Sequence, residues 1–257
     1  MRWSIMSGGS AKEALLLLAC FGAAVLSACA KPDASKINNP ETLWIEGEKL
    51  YQDDFFEESR AFYQKIKTRF PESPRYYDAE LRIADTYFAE GKYILAAEHY
   101  NDFAKTHPAH ERVPYAIYRS GASYVKDSPS TIDRDQTSVE KGLAAFNRLL
   151  VDYPTAPEAN LAQAEAAKLR RRLAERILYI GRFYFRKDHY EAAIGRFRQL
   201  ILFYPDETEL VEEGYYKMIK SYLRLKKPVE AGAAYREFKE RMPNSSYVRK
   251  FDERDFN

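Results

Sequence analysis

The stretch ADTYFAEGKYILAAEHYNDFAKTHP, residues 84–108, decides the fold. Counting back from Pro108 puts Ala84 at −24, Tyr87 at −21, Ala96 at −12, Tyr100 at −8 and Phe103 at −5. Small and large side chains thus alternate at helical intervals on both sides of Gly91. Proline cannot continue a helix, and the residue before it avoids the α region. The stretch predicts two antiparallel helices that cross closely at the small residues and stop at Pro108.

The pattern recurs along the chain. TRFPESP, KTHPAHE, VDYPTAP, LFYPDET and ERMPNSS each carry a bulky residue before a proline, at Pro71, Pro108, Pro154, Pro205 and Pro243. The same five offsets give Gly47, Leu50, Ser59, Tyr63 and Ile66 before Pro71. They give Gly181, Tyr184, Ala193, Phe197 and Leu200 before Pro205, and Ile219, Tyr222, Ala231, Tyr235 and Phe238 before Pro243. This predicts an all-α fold, a tetratricopeptide (TPR) superhelix of about five helix–turn–helix repeats. Ile219 takes a slot where Gly or Ala is usual, so the last repeat is expected to be looser or more heavily capped.

Two departures mark the middle. In the third repeat, Gly121 and Tyr124 fill the first-helix slots, while Gly142, Phe146 and Leu149 sit at −12, −8 and −5 from Pro154. The extra residues lie in DSPSTIDRDQT, read equally as a binding surface or as a tolerated surface insertion. Between Pro157 and Gly181 there is no helix breaker, which predicts one long helix of about 30 residues. Ala162, Ala166 and Leu169 would form its inner stripe.

The chain begins differently. Ala14–Leu26 is an unbroken apolar run, long enough for a signal-peptide core and too short for a membrane span. Leu26-Ser27-Ala28-Cys29 follows. It resembles the bacterial lipobox, which implies that Cys20 is discarded and that Cys29 becomes a lipid-bearing N-terminus. Ala30, where Asp would favour inner-membrane retention, points by the same resemblance to the outer membrane. AKPDASKINNPET is too polar to order itself and reads as a tether. The expected organisation is a signal peptide over 1–28, a lipidated tether over 29–40, repeats 1 and 2 over 41–110, and repeat 3 with its insertion over 111–156. The long helix with repeats 4 and 5 follows over 157–243, then a tail over 244–257.

Composition narrows the function. Without residues 1–28 the chain keeps 38 basic and 37 acidic residues, so no global field draws it to nucleic acid. No cysteine follows Cys29, so the body relies on packing alone. No nucleophile, phosphate loop or paired acid forms a catalytic constellation. His107 and His110 flank a proline and cannot share a helical face, so no metal is expected. Asp53-Asp54 and Glu57-Glu58 read as acids at a helix start, where the dipole favours them. Arg170-Arg171-Arg172 cannot all face one partner and reads mainly as a solvated face. The tail VRKFDERDFN is expected to fray.

A TPR groove is lined by first-helix side chains. Trp44, Tyr51, Leu81, Arg82, Asp85, Phe88, Tyr115, Tyr118 and Arg119 are expected near it. Aromatic rings beside arginine suit an extended peptide ending in an aromatic residue and a carboxylate. Most of the rings can equally be inter-repeat core; Arg82 and Arg119 are the stronger candidates, because arginine is rarely buried unpaired.

Lipobox, tether, five repeats, ERVPYAIYRSG, IDRDQT, LLVDYPTAP, LRRRLAERILYIGRFYFRKDHYEAAIGRF and LILFYPDE together resemble the BamD (ComL-like) family, the TPR lipoproteins of the outer-membrane β-barrel assembly machinery. Gln136 stands where the family commonly has proline after DRD. The resemblance implies a non-enzymatic scaffold with no cofactor beyond the covalent lipid on Cys29. It would be lipid-anchored at the periplasmic face of the outer membrane of a Gram-negative bacterium. It implies that the N-terminal repeats receive targeting signals of unfolded outer-membrane proteins. The C-terminal repeats, through Arg196, would meet a POTRA domain of a BamA-type barrel subunit, with accessory Bam lipoproteins as further partners. The alternative is a TPR lipoprotein adaptor of another envelope system, pilotin-like or associated with the cell wall. An enzyme riding on TPRs would need a second domain, and the repeats leave no chain for one.

Overall fold

Five identical helix terminators set the architecture of the computed structural model, which describes residues 33–256. The leader and Cys29 lie outside the described residues. At each terminator the helix ends two residues before the proline, and the intervening residue takes an extended φ: Phe70 −132°, His107 −123°, Tyr153 −138°, Tyr204 −133° and Met242 −137°. That residue's N–H donates to the carbonyl at the −5 position, Ile66, Phe103, Leu149, Leu200 and Phe238 in turn. The prolines exclude the α conformation just before them, and the chain turns.

The described residues form ten α-helices and no strand. They are α1 (Pro40–Gln52), α2 (Phe56–Arg69), α3 (Tyr76–Ala89), α4 (Tyr93–Thr106), α5 (Val113–Asp127), α6 (Thr137–Asp152), α7 (Ala159–Arg186), α8 (Tyr190–Phe203), α9 (Thr208–Arg224) and α10 (Pro228–Arg241). Each packs mainly on its chain neighbours, as a repeat array does. The fold is the predicted all-α TPR array.

The small-residue slots are small for a measurable reason. A Cβ on Gly121 would lie 2.6 Å from the Phe146 ring, and one on Gly181 would lie 2.5 Å from the Phe197 ring. The residues at −24 and −8 thus form the helix crossing of the repeat. The turn inside four repeats holds one residue in the left-handed region, 17 positions before the proline: Asp54 (φ 62°), Gly91 (φ 75°), Asp188 (φ 59°) and Lys226 (φ 56°). Aspartate and glycine tolerate this conformation; lysine does so at a cost. Asp54 is therefore a turn residue and Asp53 caps the end of α1, so neither lies at a helix start. Glu57 and Glu58 do lie in the first turn of α2.

Packing divides into three clusters. The first joins Leu43, Phe62, Tyr63 and Ile66 with Ala79 and Ile83. The second centres on Tyr100, Phe103, Phe146 and Leu149. The third centres on Phe197, Leu200, Tyr215, Ile219 and Phe238. The 28-residue helix α7 serves two of them. Ala162, Ala166 and Leu169 enter the second cluster, as their spacing predicts, and Ala174 and Leu178 enter the third.

Both ends of the chain differ from expectation. The tail does not fray, because its rings have apolar partners. Tyr216 meets Tyr247 and Phe251 at 4.9 and 5.4 Å, and Tyr235 stacks on Phe256 at 5.0 Å. These rings cap the last repeat, the one with Ile219 in its small slot. Part of the segment read as a tether is also ordered. Asp33 accepts from Ser35 N at the start of a 3-10 turn over Ala34–Lys36, and Ala34 and Ile37 pack on the first cluster.

The insertion closes on Gln136, which is fully buried. Its amide donates to the carbonyls of Thr131 and Arg134 at 3.0 and 3.1 Å, and its oxygen accepts from Arg172 Nε at 2.7 Å. Arg172 also donates to Pro129 O. Gln136 thus orders this loop by bonds to carbonyls where a proline would have ordered it by constraint.

Candidate functional site

The first helices of repeats 1, 2 and 3 (α1, α3 and α5) face a shared cleft of about 180 Å³ lined by Trp44, Asp78, Leu81, Arg82, Asp85, Arg112 and Tyr115. Acids on one first helix pair with arginines on the next. Glu41 takes two bonds from Arg75, at 2.9 and 2.6 Å, and Glu48 takes two from Arg82, both at 2.8 Å. Asp78 accepts from Arg112 at 2.6 Å, and Asp85 lies 3.5 Å from Arg119. Every pair is separated by 34 residues, so the acid of one repeat always meets the arginine of the next. The result is a two-rung ladder repeated twice.

Asp85 is its hub. It is 6% exposed and accepts from Tyr100 Oη, from Tyr115 Oη at 3.3 Å and from Arg82 at 3.2 Å. Arg119 Nε donates to Tyr100 Oη at 3.1 Å. Tyr63 Oη donates to Glu48 at 2.6 Å. Burial, and then the neighbouring carboxylates, raise the Tyr63, Tyr100 and Tyr115 hydroxyls above their ordinary range. They stay protonated and act as donors. Burial opposes the charge on Arg82, but the paired bonds from Glu48 outweigh it and hold the guanidinium above its ordinary value.

Rings floor the ladder. Arg75 lies 4.8 Å over Trp44, Arg82 lies 5.1 Å over Tyr51, Arg112 lies 5.0 Å over Tyr115, and Arg119 lies 4.3 Å over Phe88. Trp44, Tyr51, Arg82, Phe88, Tyr115 and Arg119 therefore share one face. Tyr118 turns instead to Phe146, with ring centroids 5.7 Å apart, and Leu81 is buried. Arg82 and Arg119 are not open carboxylate receptors: Glu48 and Asp85 already hold them. A ligand carboxylate must compete with these two acids, so the cleft is charge-balanced. Glu41, Glu48, Arg75, Asp78 and Arg112 were not singled out in the sequence. The signal that finds them is the constant spacing of acid to arginine.

The other half of the molecule carries a second cleft of about 530 Å³ between α8, α9 and α10, lined by Arg198, Ile201, Leu202, Met218, Tyr222 and Ala234 among others. Leu202 is 71% exposed at its rim. Arg196, on α8, donates to Gln199 Oε1 at 3.0 Å and makes no ion pair among the described residues. The three arginines of α7 do point apart; Arg171 is exposed as a solvated face predicts, and each of the three also has a partner on another element. Arg170 bonds Asp206 and lies 4.9 Å over Tyr204, Arg171 bonds Glu209 at 3.0 Å, and Arg172 holds the insertion. Among the described residues no cluster of His, Cys, Asp or Glu could hold a metal, and no helix is long and apolar enough to cross a membrane. His107 bonds Glu80 at 2.8 Å and packs against Tyr77.

The chain is similar to several proteins named outer membrane protein assembly factor BamD. The Neisseria gonorrhoeae protein is 27% identical over 250 residues, 91% of this chain and 93% of its own. The Rickettsia prowazekii protein is 29% identical over 203 residues, 78% and 80% of the two chains. The Vibrio cholerae protein is 26% identical over 203 residues, 76% and 84%. Among solved structures, the TPR2AB domain of yeast Sti1 in complex with an HSP90 peptide covers 81% of this chain at 20% identity, with a TM-score of 0.40. A thermophilic TPR protein of Thermus thermophilus covers 82% at 16% identity, with a TM-score of 0.36. Fold and relatives are of the non-catalytic scaffold type. The model of the YfiO family, outer membrane lipoproteins, matches residues 37–237, and the chain belongs to that family, which includes the BamD assembly factors.

Proposed function

We propose that this protein is an assembly factor for outer-membrane β-barrel proteins, a two-ended adaptor anchored by lipid on Cys29 to the periplasmic face of the outer membrane. Its N-terminal cleft receives extended segments of unfolded outer-membrane proteins. Its C-terminal repeats dock a POTRA domain of a BamA-type barrel subunit through Arg196, and accessory Bam lipoproteins complete the assembly. The observation that carries this reading is the joint presence of a ring-floored cleft at one end and an arginine without a carboxylate partner at the other. Aromatic rings among paired charges suit an extended chain, whereas a cation without an internal acid suits an acidic surface on a folded partner.

The test is purification from native membranes in mild detergent, comparing the wild type with Arg196→Ala. A POTRA-bearing barrel protein co-purifies with the wild type and is weakened or lost with the variant. Absence of the barrel protein even with the wild type refutes the assembly reading. What then remains is an adaptor of another envelope system.

A further inference from the structure

We infer that the edge of repeat 1 formed by the Ala34–Lys36 turn and the end of α2 rests on the lipid surface, held there by the shortness of the link to Cys29. The inference rests on the proposed acylation of Cys29 and adds a membrane-contact surface to it.

The argument begins with where the ordered chain starts. Ala34 O accepts from Lys65 Nζ, and Lys65 is 9% exposed. Ala34 and Ile37 pack against the first cluster. Asn39 then caps α1, accepting from Thr42 N at 3.0 Å, with Pro40 at the helix start. From Asp33 onward the chain is therefore part of repeat 1. Four residue steps separate Cys29 from Asp33, and extended backbone spans at most about 3.6 Å per residue, so roughly 14 Å is available. A lipid embedded at Cys29 holds this edge within that distance of the headgroups.

The chemistry of the edge agrees. Lys36 is 82% exposed, and Arg69 is exposed at the end of α2. Between Pro40 and Arg69 lies a shallow depression made by Phe70, Pro71 and Pro74, with Glu72 and Ser73 also on its lining. Basic side chains flanking apolar ones suit an interface with phospholipid headgroups. The opposite edge of the same repeat, at Asp53, Asp54, Glu57 and Glu58, is acidic. The near edge mixes Lys36 and Arg69 with Asp33 and Glu72 and so lacks the run of acids of the far edge, and the link reaches only the near one. The Lys65–Ala34 bond helps hold the start of the ordered chain to repeat 1, beside the packing of Ala34 and Ile37.

The test uses the full acylated chain on vesicles of phosphatidylethanolamine and phosphatidylglycerol carrying a headgroup quencher. Fluorophores are placed singly at Lys36, Arg69 and Asp54. Quenching is expected at positions 36 and 69 and not at 54. It should fall toward the level of position 54 in Lys65→Ala, and also when a Gly/Ser linker of about 12 residues is inserted between Lys31 and Pro32. The insertion leaves the repeat's packing untouched, so its result stands even where Lys65→Ala loosens the fold. Equal quenching at both edges, or quenching that survives the linker, overturns the inference. Failure to float with the vesicles, with Cys29→Ser behaving identically, overturns the acylation reading and this inference together.

Discussion

The two halves of the molecule use the same repeat for opposite surfaces. In repeats 1 to 3 the charged groups between first helices are matched in pairs, Glu41–Arg75, Glu48–Arg82, Asp78–Arg112 and Asp85–Arg119, and rings lie beneath them. Between the first helices of repeats 4 and 5 the pairs run the other way, from an arginine to an acid of the next repeat, Arg171–Glu209 and Arg182–Glu213. Leu202, Phe203 and Val229 stand exposed, and Arg196 has only Gln199. A matched network is selective because any ligand must replace each bond it breaks. An apolar surface with a cation held only by a neutral amide gives up one neutral hydrogen bond on contact and no ion pair. On the proposed function, the matched cleft would take transient chains and the other face a lasting partner.

The comparison breaks most severely at its cores. Phe197→Ala removes a fully buried ring from the third cluster and should cost about 3–5 kcal/mol. Stability in a repeat array is carried largely by nearest neighbours. Hydrogen exchange should therefore rise in α8 to α10 while α1 to α4 stay protected; uniform loss of protection would mean that α7 welds the halves into one unit. Asp85→Ala should cost about 1–3 kcal/mol, because Tyr100, Arg82 and Arg119 lose a buried acceptor. It should also bring binding of a carboxylate-ended aromatic peptide closer to that of its amide, or reverse the order, by freeing Arg119 while Glu48 keeps Arg82. An unchanged acid-to-amide ratio contradicts the charge-balanced cleft.

Smaller effects sharpen the account. Lys226→Gly should stabilise the last repeat by roughly 0.5–1 kcal/mol, since glycine takes φ 56° without the Cβ penalty. Asp54→Gly should gain less, aspartate being tolerant there; thermal melts of both variants decide it. His99, half-buried and stacked on Tyr87 at 4.9 Å, is held below its usual 6.5 by burial. Its neutral form is the one the fold accepts. Stability should be full above pH 6.5 and fall modestly as acid protonates the unfolded chain first. His99→Gln should flatten that slope in denaturant titrations across pH 5 to 7.5.

Much of this was legible before the fold was seen, for one physical reason. A proline after a bulky residue acts locally, and the −24 and −8 slots meet inside one repeat, so spacing alone found both. The site was less legible because its chemistry lies between repeats. Arg82 looked like an open receptor until Glu48, on the preceding repeat, was seen to hold it. Gln136 looked like a loss of proline, yet its side chain builds the loop by reaching Arg172 on a distant helix. The tail reads as charged and short, and only the ring of Tyr216 and the slot beside Tyr235 explain why it is held.

Photo-cross-linking in the intact envelope tests the two-ended adaptor most directly, with one probe replacing Tyr51 in the cleft and another replacing Gln199 beside Arg196. The account predicts two different captures: unfolded outer-membrane proteins from position 51 and a POTRA-bearing barrel subunit from position 199. The same partner at both positions, or substrate chains captured only at 199, would contradict it.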